Sequence, residues 1–164
     1  MRYWLMKSEP AELGIDDLAA RPGQTTPWFG VRNYQARNFM RDEMRPGDRV
    51  FFYHSSCAEP GIAGIAEVVS QACPDATQFD RKRPYFDPKA TREVPRWFNV
   101  NVKLVRKTRL IGLAELRRHP ELAGMRVLVR GNRLSIMPVE PQEWAFITGK
   151  LLKPDSPAGA ARQA

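Results

Sequence analysis

The chain has 164 residues, of which 43% are hydrophobic and 27% are charged. Its length matches that of one folded domain, and its composition argues against extensive disorder. The two cysteines and two histidines lack the spacing of a zinc site, and no apolar run is long enough to span a membrane. We therefore predict one monomeric, cytoplasmic domain over residues 1–153, without metal or cofactor, followed by a disordered tail over residues 154–164.

The excess positive charge lies in the middle of the chain. Residues 81–133 carry 15 basic and 4 acidic side chains, whereas residues 1–80 carry 8 basic and 11 acidic ones. A basic block attracts a polyanion, because each lysine or arginine that meets a phosphate releases condensed counterions. A solvated basic face on an unrelated protein has the same composition. Charge therefore favours a nucleic-acid partner without establishing one.

The first part of the chain predicts a strand and two helices. Residues 3–7 are rich in aromatic and aliphatic side chains, which is typical of a short strand, and a helix is predicted over residues 15–20. A second helix is predicted after Asn33, a favourable N-cap, because apolar residues follow it at helical spacing. These core-facing positions are Ala36, Phe39, Met40 and Met44.

Three further strands are predicted in the middle of the chain. Residues 49–54 contain three consecutive aromatic residues, which predicts burial on both faces. Residues 62–70 predict another strand, in which the small residues around Gly64 indicate a bulge or close packing. Residues 97–107 alternate between an apolar face and a mostly polar face that includes Trp97, the clearest strand pattern in the sequence.

Two helices and a strand complete the prediction. We expect helices over residues 113–118 and 141–148, with a strand over residues 134–137 between them. Strands that are distant in sequence and separated by short helices favour an α+β domain built on a curled antiparallel sheet.

The sequence lacks the common motifs of cofactor and hydrolytic chemistry. It has no dinucleotide-binding glycine motif, no phosphate-binding P-loop and no H-E-x-x-H zinc motif. His54 and Ser55 are adjacent and point to opposite sides of an extended chain, so they make a poor catalytic pair. No catalytic residue is predicted.

Several segments form a distinctive series that resembles the EVE domain. They run from Tyr3 to Pro10, from Trp28 through Gly30 to Asn38, from Phe52 to Ser55 and from Gly61 to Gly64, with Arg133-Leu134-Ser135 further along. The resemblance covers residues 1–149. It implies a PUA-like fold, in which a curled sheet or pseudo-barrel is flanked by short helices. It also implies a pocket for a flipped, often modified, base and a basic surface around it.

A base taken out of its stack needs aromatic walls and polar groups along its edge. Trp28 and Trp97 are the candidate walls, although tryptophan is also a common core anchor. The candidate polar residues lie at caps, strand ends and a helix surface, where each could instead satisfy a cap or a turn or face solvent. They are Ser8, Asn33, Asn38, His54 and Ser55.

The remaining candidates concern the nucleic-acid backbone and a lid. Arg32 and the run Arg81-Lys82-Arg83 are predicted phosphate contacts, and Tyr85 and Asp87 are placed to close over the pocket from the same loop. The predicted function is that of a non-enzymatic reader that binds DNA or RNA through a flipped, modified base.

Two alternatives stay open. One is a small hydrolase of a modified nucleoside or base, as in the related ASCH branch, for which Lys7, Ser8 and Glu67 have suitable side chains. The other is a protein-interaction module without affinity for nucleic acid.

Overall fold

The computed structural model describes residues 1–152, which contain eight strands and five short α-helices. The strands are β1 (Tyr3–Ser8), β2 (Thr25–Pro27), β3 (Arg49–His54), β4 (Gly61–Val68), β5 (Cys73–Pro74), β6 (Phe98–Asn99), β7 (Asn101–Gly112) and β8 (Ile136–Val139). The helices are α1 (Pro10–Leu13), α2 (Ile15–Ala20), α3 (Tyr34–Asn38), α4 (Leu113–Arg117) and α5 (Pro141–Phe146). The predicted tail, residues 154–164, lies outside the described residues.

Six strands form one mixed sheet in the order β2-β7-β4-β3-β1-β8, and β5 pairs with β6 in a separate ribbon. β1 runs parallel to β3, whereas the other neighbours are antiparallel. The α+β class is therefore confirmed, but the sheet is not antiparallel throughout. The segment between β1 and β3 brings the chain back to the end of the sheet at which β1 begins, so the two strands run parallel. The edge strands β2 and β8 do not pair with each other, so the sheet is not a closed barrel.

Hydrophobic residues pack on both faces of this sheet. On one face, Trp4 and Met6 of β1 pack with Phe39 and Met40, as predicted for the helix after Asn33. On the other face, Leu5 packs in a cluster with residues that follow β7. Alternate residues of β1 thus enter two different clusters, which is the period-two geometry of a strand buried on both faces.

The helix after Asn33 starts as predicted and then changes its winding. The Asn33 Oδ1 accepts the backbone N–H of Ala36 at 3.0 Å, which caps α3. The chain continues from α3 into a π-helical turn over Phe39–Glu43. The second C-terminal helix does the same, because α5 is followed by a π-helical turn over Ile147–Leu151.

The small residues of β4 allow a helix to approach the sheet closely. A Cβ on Gly64 would lie 2.5 Å from Ile15 Cδ1 at the start of α2. The pairing of β4 with β7 also shifts register between Ile62 and Gly64. Both features predicted around Gly64, a bulge and close packing, are confirmed.

The predicted strand over residues 97–107 is split and extended. Phe98 and Asn99 pair with β5, and β7 then runs as far as Gly112. At the break, the carbonyl oxygen of Val100 accepts the backbone N–H of Trp28 at 2.9 Å. None of the helices within residues 1–152 is long and apolar enough to cross a membrane.

Candidate nucleic-acid interface

A cavity of about 410 Å³ opens where β1 and β3 end beneath the loop between β2 and α3. This volume falls within the range of about 300–1,000 Å³ that is typical of ligand pockets. The walls come from five separate parts of the chain, and we call the site the Trp28 cavity. Its lining residues are Lys7, Ser8, Glu9, Glu12, Leu13, Pro27, Trp28, Phe29, Gly30, Val31, Arg32, Ser55, Ser56, Tyr85, Arg133 and Ser135.

Trp28 serves both as a core residue and as a wall of the cavity. Its side chain is 5% exposed, and its indole ring meets Phe52 edge-on with the ring centroids 5.5 Å apart. The indole N–H groups of Trp4 and Trp97 each donate to an aspartate, whereas that of Trp28 has no acceptor within residues 1–152. Trp28 can therefore be a core anchor and a wall of a binding pocket at the same time.

A buried carboxylate holds the loop that carries Trp28. Asp75 accepts the backbone N–H of Gly30 at 2.7 Å and the Nη1 of Arg32 at 3.2 Å, and its other oxygen accepts both donors of Thr77. Sequence reasoning missed Asp75. Its only signal is the Asp-x-Thr pattern of a capping turn, which does not reveal the loop that the carboxylate will hold.

Tyr85 lies at the mouth of the cavity, close to Gly30. The φ of Gly30 is +85°, and a Cβ there would lie 2.8 Å from Tyr85 Cζ, so only glycine fits. The Tyr85 hydroxyl donates to the carboxylate of Glu12 on α1. Burial and this hydrogen bond raise the pKa of Tyr85 to about 12. The phenol therefore stays protonated and spans from its own loop to α1.

Arg32 is held by protein groups rather than projecting freely. Its guanidinium donates to the carbonyl oxygens of Tyr85 and Val31 and to the side chains of Thr77 and Asp75. Its charge is paired with the buried Asp75 carboxylate. In this arrangement Arg32 ties the Tyr85 segment to the Trp28 loop.

Ser8, Trp28 and Ser55 are the predicted pocket residues that line the cavity. The Ser8 hydroxyl donates to the carbonyl oxygen of Leu13 at 2.7 Å, and the Ser55 backbone N–H donates to that of Ser8 at 2.9 Å. The first bond ties the end of β1 to α1, and the second joins the ends of β1 and β3.

His54, Asn33 and Asn38 do not line the cavity, and the side chain of each bonds to another part of the protein. The His54 Nε2 accepts the backbone N–H of Ile15 at 3.1 Å, and burial lowers the pKa of this imidazole. Asn33 caps α3, and the Asn38 Oδ1 accepts two N–H groups of Arg37.

Trp97 and Asp87 do not line the Trp28 cavity, but Trp97 packs next to it, because the guanidinium of the lining residue Arg32 lies 5.3 Å from the centroid of the Trp97 ring. Trp97 stacks on Tyr34 with the ring centroids 4.8 Å apart, and its indole N–H donates to Asp87 at 2.7 Å. This hydrogen bond is the main reason that the pKa of Asp87 is lowered. Sequence periodicity placed Trp97 on a polar face, but Gln78, which accepts its backbone N–H, and Tyr34 cover that face.

The run Arg81-Lys82-Arg83 is exposed and does not line the cavity. Arg81 lies over the ring of Phe86, and Arg83 lies over the ring of Phe29. Both guanidinium groups therefore make cation–π contacts with neighbouring aromatic rings.

Several lining residues were missed or were assigned a different role. Lys7 is half-buried, burial lowers its pKa, and it has no carboxylate partner within residues 1–152. The side-chain hydroxyls of Ser55, Ser56 and Ser135 likewise make no hydrogen bond within residues 1–152. One side of the cavity therefore carries several unpaired polar groups. They come from segments far apart in sequence, so no local pattern could have identified them as a set.

The residues considered for hydrolysis are not brought together. Lys7 and Ser8 line the cavity, but Glu67 is six residues beyond Gly61 along β4, which is about 20 Å at the usual rise of a strand. Glu67 instead lies 3.8 Å from Arg49. Within residues 1–152, no three histidine, cysteine or acidic side chains converge in a group that could hold a metal ion.

The chain is similar in sequence and structure to several known proteins. Thymocyte nuclear protein 1 of Gallus gallus is 45% identical over 163 residues, covering 88% of this chain and 66% of that protein, so the chain spans about two thirds of its length. A hypothetical protein from Leishmania major has a TM-score of 0.85 at 49% identity, covering 91% of this chain and 93% of that chain.

A third relative was crystallised with DNA. The human THYN1 protein in complex with DNA containing 5-methylcytosine has a TM-score of 0.85 at 44% identity, covering 91% of this chain and 96% of that chain. A mutant ASCH protein from Zymomonas mobilis, at 10% identity and a TM-score of 0.54, shares the fold alone. The model of the EVE domain matches residues 2–150. The chain therefore belongs to the EVE domain family.

Proposed function

We propose that this protein is a nucleic-acid reader that takes one flipped, modified base into the Trp28 cavity and releases it unchanged. The observation that carries the proposal is the combination of an aromatic wall with unpaired polar groups in one cavity. Apolar walls together with converging polar groups are what orient a bound ligand in a pocket, and the polar groups are numerous in this one.

The lining residues supply both kinds of contact that a flipped base requires. The Trp28 indole provides an apolar wall, and Leu13 and Val31 extend it. Lys7, Ser55, Ser56 and Ser135 provide donors and acceptors that the described protein leaves unpaired, so a base edge can meet them without displacing an existing bond. A buried donor without a partner is uncommon, and the Trp28 indole N–H is therefore a further candidate contact.

We propose 5-methylcytosine in DNA as the first ligand to test. The human relative at 44% identity was crystallised with DNA containing this base. A methyl group adds apolar surface without charge, which suits the Trp28, Leu13 and Val31 walls. RNA containing the same base is the comparison ligand.

We favour a reader over a hydrolase because Glu67, the proton-transfer candidate, is remote from Lys7 and Ser8. The hydroxyl of Ser8 is also already donated to Leu13. A monomeric state and a cytoplasmic setting, both expected for this chain, remain parts of this proposal.

The test compares duplexes that differ in a single methyl group. Fluorescence anisotropy should give tighter binding to a duplex with one 5-methylcytosine than to its unmethylated twin. Trp28→Phe should weaken this preference, since it reduces the stacking surface and removes the indole donor; Trp28→Ala should cost about 1–3 kcal/mol of binding, as for other base-stacking residues. Mass spectrometry should recover the modified nucleoside unchanged after incubation.

The matched control is Trp144→Phe, because Trp144 stacks on Phe51 in the hydrophobic cluster on the other face of the sheet. It should retain the methyl preference. Thermal melting must accompany the binding assay for every Trp28 and Trp144 variant, since truncating a core tryptophan to alanine costs about 3–5 kcal/mol of folding free energy. Equal affinity of the wild-type protein for the two duplexes would refute the proposal, and so would release of a changed base.

A further inference from the structure

We infer that the phosphate backbone of the bound nucleic acid lies on a surface formed by Arg130 and Arg133, which we call the Arg133 surface. This inference rests on the proposed function, because it takes a nucleic acid as the ligand of the Trp28 cavity. It differs from the sequence-based expectation, which gave the backbone to Arg32 and to Arg81-Lys82-Arg83.

The arginines from Arg117 to Arg133 are available to a phosphate. Within residues 1–152 none of them forms an ion pair and all are exposed, whereas ion pairs engage Arg32, Arg96 and Arg109. The run Arg81-Lys82-Arg83 is likewise exposed and without ion pairs in this part of the chain, so availability of charge does not by itself choose between the two surfaces. An unpaired, exposed guanidinium can neutralise a phosphate without first losing a protein partner.

Nearby carboxylates divide these arginines into two groups. Arg118 is close enough to Glu115 to contribute to the lowering of its pKa, and Arg126 opposes the rise in the pKa of Glu143 that burial causes. Arg117 lines a different depression, together with Glu59 and Glu115. We therefore assign the surface to the remaining two arginines, Arg130 and Arg133.

Arg133 and Arg130 lie at the cavity or next to it. Arg133 and Ser135 line the cavity directly. Arg130 belongs to the turn just before them, which is closed by the Asn132 N–H donating to the Val129 carbonyl at 3.2 Å. Arg133 thus borders the mouth, and Arg130 adjoins it in the preceding turn.

The cavity also has acidic lining residues, which come from a different segment of the chain. Glu9 and Glu12 line it at the start of α1, and Glu12 accepts the Tyr85 hydroxyl. Carboxylates repel phosphates, so a strand that delivers a base into the cavity avoids α1 and runs along the Arg133 surface.

The experiment compares two double variants that remove the same charge. Arg130→Gln with Arg133→Gln is expected to lower the magnitude of the slope of log K against log salt by about two, since each lost phosphate contact contributes about 0.9. Arg81→Gln with Arg83→Gln is expected to retain the wild-type slope. The ligand in each case is the duplex with a single 5-methylcytosine, measured by anisotropy between about 50 and 200 mM salt.

The outcomes separate the two proposals. If the Arg130 and Arg133 variant keeps the wild-type slope, or if only the Arg81 and Arg83 variant lowers it, this inference is overturned, whatever methyl preference the wild type shows. If the wild type binds both duplexes equally but the Arg130 and Arg133 variant still lowers the slope, the backbone surface is supported and the base-reading proposal fails. Absence of wild-type binding to any of these ligands overturns both.

Discussion

Hydrogen bonding divides the polar residues in and around the Trp28 cavity into two groups that look alike in the sequence. Ser8, Asn33 and His54 each make a defined bond within the protein, to Leu13, Ala36 and Ile15 respectively, and of these three only Ser8 lines the cavity. Lys7 and Ser55 line it without side-chain hydrogen bonds in the described part of the chain. Since breaking an existing bond offsets the gain from a new one, Lys7 and Ser55 can form a new bond at the lower cost.

His54 gives the protein a testable dependence on pH. Burial lowers the pKa of His54 below its ordinary value of 6.5, so the unfolded chain binds the proton more tightly than the folded one. The stability contributed by neutral His54 is then fully present above about pH 6.5 and is lost as the pH falls toward the folded-state pKa. Protonation of Nε2 would also remove the acceptor of the Ile15 amide.

Urea denaturation between pH 7.5 and 5.5 measures this effect. The free energy of unfolding of the wild-type protein should decrease over that interval, and His54→Gln, which keeps a hydrogen-bond acceptor but does not titrate, should decrease less. Parallel profiles for the two proteins would show that His54 does not cause the pH dependence.

One strand pairing and one close helix–sheet contact set the arrangement of the elements. β1 and β3 pair in parallel, with Tyr3 opposite Arg49 and Ser8 opposite His54, so both strands end at the Trp28 cavity. α2 crosses the sheet over Gly64, where Ile15 occupies the space that a side chain would fill. Placement of α2 therefore depends on a glycine in the strand beneath it.

Gly64→Ala should separate α2 from the sheet. The added methyl group would lie 2.5 Å from Ile15 Cδ1 and 3.0 Å from the carbonyl oxygen of Arg106, and overpacking of this kind costs about 1–3 kcal/mol. The free energy of unfolding in urea measures the loss.

Gly124→Ala is the matched control, because nothing lies within 4 Å of the Cβ that it would add. It should be neutral or stabilising by up to about 1 kcal/mol. A Gly64→Ala protein as stable as the Gly124→Ala protein would contradict the packing argument.

At the scale of the whole molecule, one sheet holds both hydrophobic clusters. Trp4 and Leu5 are neighbours in β1 and enter opposite clusters. If the sheet unfolds beneath one cluster, the other cluster is exposed to water as well. We therefore expect the single domain predicted over residues 1–153 to unfold as one unit.

This cooperativity predicts one transition in urea. Tryptophan fluorescence reports both clusters, because Trp28 belongs to one and Trp144 packs against the other, while far-UV circular dichroism reports the sheet. The two curves should coincide and give the same midpoint. Separate midpoints would mean that the faces unfold independently.

The sequence by itself determined the local features of this protein and its family. The aromatic run in β3, the Asn33 cap and the small residues around Gly64 were predicted correctly, because strand periodicity, capping and glycine packing are encoded by residues close together in the chain. The EVE resemblance is likewise confirmed, since it rests on motifs that can be read in order along the sequence.

Only the tertiary structure decided which residues form the site. The sequence favoured Trp28 over Trp97 as a pocket wall without excluding either, and packing brings Trp28 to the cavity whereas Tyr34 and Asp87 cover Trp97. Lys7 and Arg133 meet at one cavity although they are more than 100 positions apart. The parallel pairing of β1 with β3 and the position of Asp75 beneath the Trp28 loop also depend on contacts between distant segments. Such contacts follow from how the whole chain buries its apolar surface, which no local pattern of residues specifies.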